Sequence, residues 1–195
     1  WAWGWNGYNQ LGDGTATQRN SPVRVVGLKN ITGISAGALH GLASDITGRV
    51  WAWGWNGVGQ LGDGSATSHP LPGLVPGLQG IKKVSAGFAH SLAVGQDGRL
   101  HSWGWNIFGQ LGDGTGLDRY RPVVTGTGMQ DASAGVLHSL GVKNDEVYGW
   151  GWNGLGTVGD GSTTDRRVPT LVLNTHVTYV AAGAYHSLAS GDPAP

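Results

Sequence analysis

The chain has 195 residues with 12 basic and 12 acidic side chains, so its formal net charge is zero, and it contains 37 Gly, 10 Trp and no Cys. Balanced charge leaves no basic field for nucleic acid, and the lack of Cys excludes disulfides and thiolate metal sites. No stretch approaches the roughly 18 apolar residues of a membrane-spanning helix, and the first residues show no signal-peptide or transit-peptide pattern.

In chain order the first feature is W-A-W-G-W-N, Trp1 to Asn6, which returns at Trp51 to Asn56. In the second copy Val50, Ala52 and Gly54 alternate with Trp51, Trp53 and Trp55. A period of two predicts an extended strand with indoles on one face and small groups on the other. A Gly-rich loop follows, GVGQLGDGSAT in this copy, in which Asp13, Asp63, Asp113 and Asp160 recur as turn formers. After it comes a Pro-bounded extended piece, as in Pro22 to Val26 or Pro122 to Thr125. Ile81 to Val94 reads as two short strands around Gly87, and Gln96-Asp97-Gly98 supplies a hairpin turn into the next tryptophan strand. Each unit thus holds about four short strands, with no helical stripe.

The segment W-G-W-N begins at Trp3, Trp53, Trp103 and Trp150, and the signature A-G-x-x-H keeps step with it at His40, His90, His138 and His186. A fixed period near 50 residues marks a repeat architecture whose units bury their faces against their neighbours. Four small antiparallel sheets in succession around an axis make an all-β fold, a β-propeller. Stacked sheets lie about 10 Å apart, a gap that an indole facing Ala or Gly fills. Trp3, Trp53, Trp103 and Trp150 are therefore expected to act as structural spacers between blades, with Trp5, Trp55, Trp105 and Trp152 at the loop and partly exposed. The four histidines recur in every copy, which points to a structural hydrogen bond to neighbouring backbone and not to a metal site.

Several matches to chemical motifs fail on context. Gly57-Val58-Gly59-Gln60-Leu61-Gly62 fits G-x-G-x-x-G but leads into Asp63-Gly64-Ser65, so no helix N-terminus follows to hold a pyrophosphate. Gly33-Ile34-Ser35-Ala36-Gly37 fits a nucleophile elbow but precedes a strand. Neighbours such as His90 and Ser91 point to opposite faces of a strand, which forbids a nucleophile-base bond within the pair. A single Asp per loop lacks the spacing of a calcium loop. No catalytic constellation, cofactor site or metal site is expected, and the chain is read as a non-enzyme.

The order A-G-x-x-H-S-L-A, then D-G-x-V-x-x-W-G-x-N-x-x-G-Q-L-G-x-G, strongly resembles the repeat of the regulator of chromosome condensation (RCC1) family. The resemblance covers essentially the whole chain and implies a propeller of four-stranded blades, usually seven in that family. Departures are local: Asn9 stands where other copies have Gly59 and Gly109, Thr157-Val158 replaces Gln-Leu, and Asn144-Asp145 replaces the D-G turn. The expected organisation is one propeller domain over 1–195, with a half repeat at 1–30, repeats at 31–80, 81–128 and 129–175, and a half repeat at 176–195. From His186 through Pro195 and on to Trp3 the count is 12 residues, against 13 for His40 to Trp53, so the two ends are in register. They fit a shared composite blade, a piece of a longer ring, or a ring completed by a second copy. A partial or two-chain ring is favoured over a strained closed four.

Function is expected where the copies differ, because shared residues are accounted for by the fold. Leu39, Phe88, Leu137 and Tyr185 lie between A-G and the strand after it, and Tyr8 and Phe108 follow W-N. These six form a candidate partner-binding rim. The leading reading is a protein-binding scaffold with a protein partner, a second copy included, and without nucleic acid or a membrane span. The family resemblance implies a second reading, nucleotide exchange on a small GTPase, and exposed tryptophans would suit a third, a carbohydrate-binding propeller. Near-identical, low-charge, Trp-rich copies favour an extracellular or cell-envelope setting.

Overall fold

The structure, a computed structural model, describes residues 1–191. The first sheet has two strands, β1 (Ala2–Gly4) and β2 (Arg19–Val23). Three four-stranded antiparallel sheets follow. The first of them holds β3 (Ile31–Ala36), β4 (His40–Asp45), β5 (Val50–Gly54) and β6 (His69–Leu74). The second holds β7 (Ile81–Ala86), β8 (His90–Gly95), β9 (Leu100–Gly104) and β10 (Arg119–Gly126), and the third β11 (Met129–Ala134), β12 (His138–Lys143), β13 (Glu146–Gly151) and β14 (Arg166–Leu173). A last two-stranded sheet pairs β15 (Tyr179–Ala182) with β16 (Ser187–Ser190). No helix occurs among the described residues.

Strand-level expectations hold in detail. The indole strand pairs Leu42 with Ala52 and Gly41 with Trp53, so small groups face the rings across the ladder. The indole strands β5, β9 and β13 end on a glycine because a side chain has no room there. Gly104 adopts φ +94°, and a Cβ on it would lie 2.6 Å from Ala89 O. The third hairpin turns through Asn144 and Asp145 at φ 52° and 62°, a left-handed pair of the kind that two-residue hairpins require.

Within each complete sheet the first strand is innermost. Strands β3, β7, β11 and β15 contact one another in succession, and β7, β11 and β15 each also touch the second strand of the sheet before. The A-G glycines allow this approach, since a Cβ on Gly135 would meet the Gly183 carbonyl at 2.6 Å. The core is not inside any one sheet but between consecutive ones. One cluster joins Leu42, Val50 and Ala52 to Val84 and Trp103 of the next sheet, and a second joins Leu92 and Leu100 to Met129 and Trp150.

A polar latch repeats at the two joints between four-stranded sheets. The Trp103 indole donates from Nε1 to Gln60 O at 2.8 Å, and Ser91 Oγ donates to the same oxygen at 2.8 Å. His40 Nε2 lies 2.9 Å from Ser91 Oγ. Because the serine proton is given to Gln60 O, His40 Nε2 is the donor in that contact and Nδ1 carries the lone pair. The next joint repeats the arrangement with Trp150, Ser139, Gln110 O and His90. The expected histidine bond to backbone is instead a bond to a serine hydroxyl in the following sheet, and the serine reaches the backbone. Strand alternation explains it: His90 faces forward to Ser139 while its neighbour Ser91 faces back to His40. Burial pushes the imidazoles of His40 and His138 down to about 4, and that of His90 to about 3, where the neighbouring histidines add to the effect.

Trp53, Trp103 and Trp150 are buried, at 6%, 0% and 0% exposed. Trp3 is 62% exposed and His186 is exposed. Trp3 lies in β1 and His186 directly before β16, at the two outer sheets, where no further sheet covers them among the described residues.

A candidate docking rim of aromatic side chains

The loops leaving the indole strands are built to hold their shape. Asn106 is fully buried, and its Nδ2 donates to Asp113 Oδ1 at 2.9 Å and to Leu117 O at 3.1 Å, while its Oδ1 accepts the Leu111 N–H at 2.9 Å. Asn6, Asn56 and Asn153 make the same set. Asp113 accepts from the Thr115 N–H and hydroxyl and pairs with Arg119 at 2.6 Å. Burial works against its ionisation, but the Thr115 hydrogen bonds and Arg119 outweigh it and hold the carboxyl below its ordinary value. These asparagines escaped the reading of the sequence, although their recurrence seven residues ahead of each loop aspartate was visible.

Above this rigid base aromatic side chains from both variable positions converge around Trp105, and one packs against each of Trp5, Trp55 and Trp152. Phe88 and Phe108 flank Trp105, with ring centroids 6.4 and 5.8 Å away. Tyr8 lies between Trp5 and Trp55 at 5.5 and 6.2 Å, and Tyr185 packs edge-on to Trp152 at 5.9 Å. The Tyr8 and Tyr185 contacts cross from one sheet to the next. Tyr8, Phe88 and Tyr185 are exposed, Phe108 is half-buried, and Leu39 and Leu137 are half-buried with their carbonyls accepting the Trp55 and Trp152 N–H groups. The structure thus gathers Tyr8, Phe88, Phe108 and Tyr185 into three aromatic clusters and places Leu39 and Leu137 beside the strand ends. Where the innermost strands meet, Ala38, Phe88 and Val136 line a small cavity of about 190 Å³.

The buried His-Ser contacts cannot activate a nucleophile, since each serine hydroxyl already gives its proton to a carbonyl and the histidine donates to the serine. The arrangement suits binding by apolar and aromatic contact.

The regulator of chromosome condensation (RCC1) repeat matches residues 1–44, 47–94, 97–142 and 144–190. The chain belongs to the RCC1 repeat family. A second description of the RCC1 repeat matches residues 31–60 and 81–110. Comparison with curated protein sequences finds no match. Among solved structures the chain is similar to human WBSCR16, with 22% identity and a TM-score of 0.87 over 97% of this chain and 52% of that one. It is also similar to Prp20p from Saccharomyces cerevisiae, in a study of its binding to Gsp1p and histones, with 26% identity, a TM-score of 0.79 and coverage of 99% and 51%. The same yeast RCC1 bound to Kap60 gives 27% identity, a TM-score of 0.84 and coverage of 99% and 50%. The chain therefore spans about half the length of the RCC1-like chains it matches.

Proposed function

We propose that this RCC1-repeat chain is a non-enzymatic scaffold that binds a protein partner through the aromatic rim. The observation that carries the reading is the convergence of Tyr8, Phe88, Phe108 and Tyr185 on the third tryptophans, with three of the four exposed and the loops that carry Tyr8 and Phe108 locked from beneath by Asn6 and Asn106. Exposed aromatic side chains on rigid supports are the residues that dominate interface energetics. The RCC1-like yeast protein is described with the protein partners Gsp1p, histones and Kap60, which supports protein binding as the general mode. Exchange of nucleotide on a small GTPase is the narrower reading within that class. A sugar platform draws its support from Trp1, Trp3 and Trp5, but their exposure follows from the open outer sheet and not from a shaped site.

The test places a photocrosslinking residue at Phe88 on the rim or at Ile46, an exposed residue at the opposite end of the strands. Capture of one protein from Phe88 alone, lost when Tyr185→Ala is added, supports the rim. Equal capture from both positions overturns it. Release of nucleotide from a GTPase that the rim captures would select the exchange reading.

A further inference from the structure

Three of the four loops that leave the indole strands begin with Asn-Gly, at Asn6-Gly7, Asn56-Gly57 and Asn153-Gly154, and the remaining one begins with Asn106-Ile107. The glycine has a steric reason. A Cβ on Gly7, Gly57 or Gly154 would lie 2.7, 2.5 or 2.6 Å from the indole of Trp5, Trp55 or Trp152, which folds over the backbone at that point. Where Ile107 takes that place, Trp105 has Phe88 and Phe108 as ring neighbours.

Asn-Gly is also the pairing in which a peptide nitrogen most readily attacks the preceding side-chain amide, because glycine has no Cβ to crowd the approach. The glycine nitrogen gives its proton to a solvent base and its electron pair to Asn Cγ. The new N–Cγ bond closes a five-membered succinimide, the Cγ–Nδ2 bond breaks, and the amide nitrogen takes up a proton and leaves as ammonia. Water then adds to one imide carbonyl and opens the ring. Breaking the N–Cγ bond leaves Asp, and breaking the backbone C–N bond leaves isoaspartate, with the chain running through Cγ. Water is the co-reactant, and nothing is oxidised or reduced.

The fold holds one half of this reaction back and leaves the other ready. Asn6, Asn56 and Asn153 are fully buried. Asn56 Nδ2, the group that must leave, donates to Asp63 Oδ1 at 3.2 Å, Ser65 O at 3.0 Å and Thr67 O at 3.1 Å, while Oδ1 accepts the Leu61 N–H at 2.9 Å. Asn6 and Asn153 are held alike. A nitrogen bound to three acceptors in a site without solvent access cannot depart as ammonia. The attacking nitrogens belong to Gly7, Gly57 and Gly154, which are exposed and whose N–H groups meet no acceptor among the described residues. Only opening of the loop separates the two groups from reaction.

The product cannot return to the loop. A carboxylate oxygen in place of Nδ2 of Asn56 would face Asp63 Oδ1 and two carbonyl oxygens with no donor among them, in a buried site. An isoaspartate adds a backbone atom as well. We propose that Asn6, Asn56 and Asn153 are sites of spontaneous deamidation, gated by opening of their loops, and that the reaction makes the opening irreversible. Asn106 makes the same hydrogen bonds but precedes a β-branched residue, so its loop opens and recloses without this loss.

Peptide mass spectrometry of the whole chain, held in mildly alkaline buffer with and without urea, tests this by following amide-to-acid conversion at the four asparagines. In urea Asn6, Asn56 and Asn153 should convert about tenfold or more faster than Asn106. In the folded chain the same three should slow by about a hundredfold or more. Asp63→Ala removes one acceptor and should speed conversion of Asn56 in the folded chain about tenfold, leaving Asn6 and Asn153 unchanged. Gly57→Ala, compared in urea where crowding against Trp55 has no effect, should slow Asn56 alone. After removal of urea, the refolded fraction should be depleted of chains converted at any of the three sites. Equal rates at Asn56 and Asn106 in urea, equal rates at Asn56 in folded and unfolded chains, or converted chains that refold to wild-type stability would each overturn the proposal.

Discussion

At Gln60 O two donors converge, the Trp103 indole and the Ser91 hydroxyl, and that hydroxyl accepts in turn from His40 of the preceding sheet. The latch requires a neutral imidazole. Since the folded values for His40, His90 and His138 lie near 4, 3 and 4, against 6.5 for a free imidazole, protonation favours the unfolded chain. Their contribution is complete above about pH 6.5 and is lost as pH falls through 6.5 toward 4. Each histidine contributes a slope approaching about 1.4 kcal/mol per pH unit in that window. Urea midpoints should therefore drop between pH 7.5 and 5, and His90→Asn should flatten the dependence while lowering stability at pH 7.5. Equal midpoints at both pH values would refute the neutral latch. Trp103→Ala, at a fully buried site, should cost about 3 to 5 kcal/mol by the same measurement, whereas Trp3→Ala in dilute single chains should cost little. The recurrence of Trp and His made their structural weight legible in the sequence. The serine was not, because its partners lie in the preceding repeat and not beside it.

Among the elements, the strands and their turns follow from local pattern, and the loops do not. The alternation of Trp51 and Trp53 with Ala52 and Gly54 gives β5, and Gln96-Asp97-Gly98 gives the β8–β9 hairpin, because each is decided by residues within a few positions. The loop after W-N looks like flexible Gly-rich sequence. Its order comes from one buried amide that satisfies several backbone groups at once. Asn106→Ala strands the Leu111 N–H and two carbonyls and should destabilise by about 1 to 3 kcal/mol. Asn106→Asp should cost more, because it faces an acceptor against Asp113 Oδ1. Thermal melts of the two variants check the order, and an Asp variant as stable as the wild type would contradict it. The convergence of Phe88 and Phe108 on Trp105 depends on that loop fold, which is why the candidate residues could be named singly but not grouped.

Across the whole molecule, the core lies between sheets, so stability is a sum of joints with neighbours. The middle sheets have a neighbour on each side, and the outer pairs β1-β2 and β15-β16 on one. Amide exchange in the single chain should accordingly be slowest in β8, β9 and β12 and fastest in β1 and β16, and uniform protection would argue against a joint-by-joint core. Repeat number and blade order were legible from the 50-residue period. The exposure of Trp3, Ile34 and Leu188 was not, since identical residues are buried or bare according to whether a neighbouring sheet is present. The most direct test of stacking through indole latches is hydrogen exchange at the indole Nε1–H groups of the dilute chain. Trp53, Trp103 and Trp150 should be protected by their bonds to the Gln10, Gln60 and Gln110 carbonyls, while Trp1 exchanges freely. Exchange of Trp103 and Trp150 at the rate of Trp1 would contradict it.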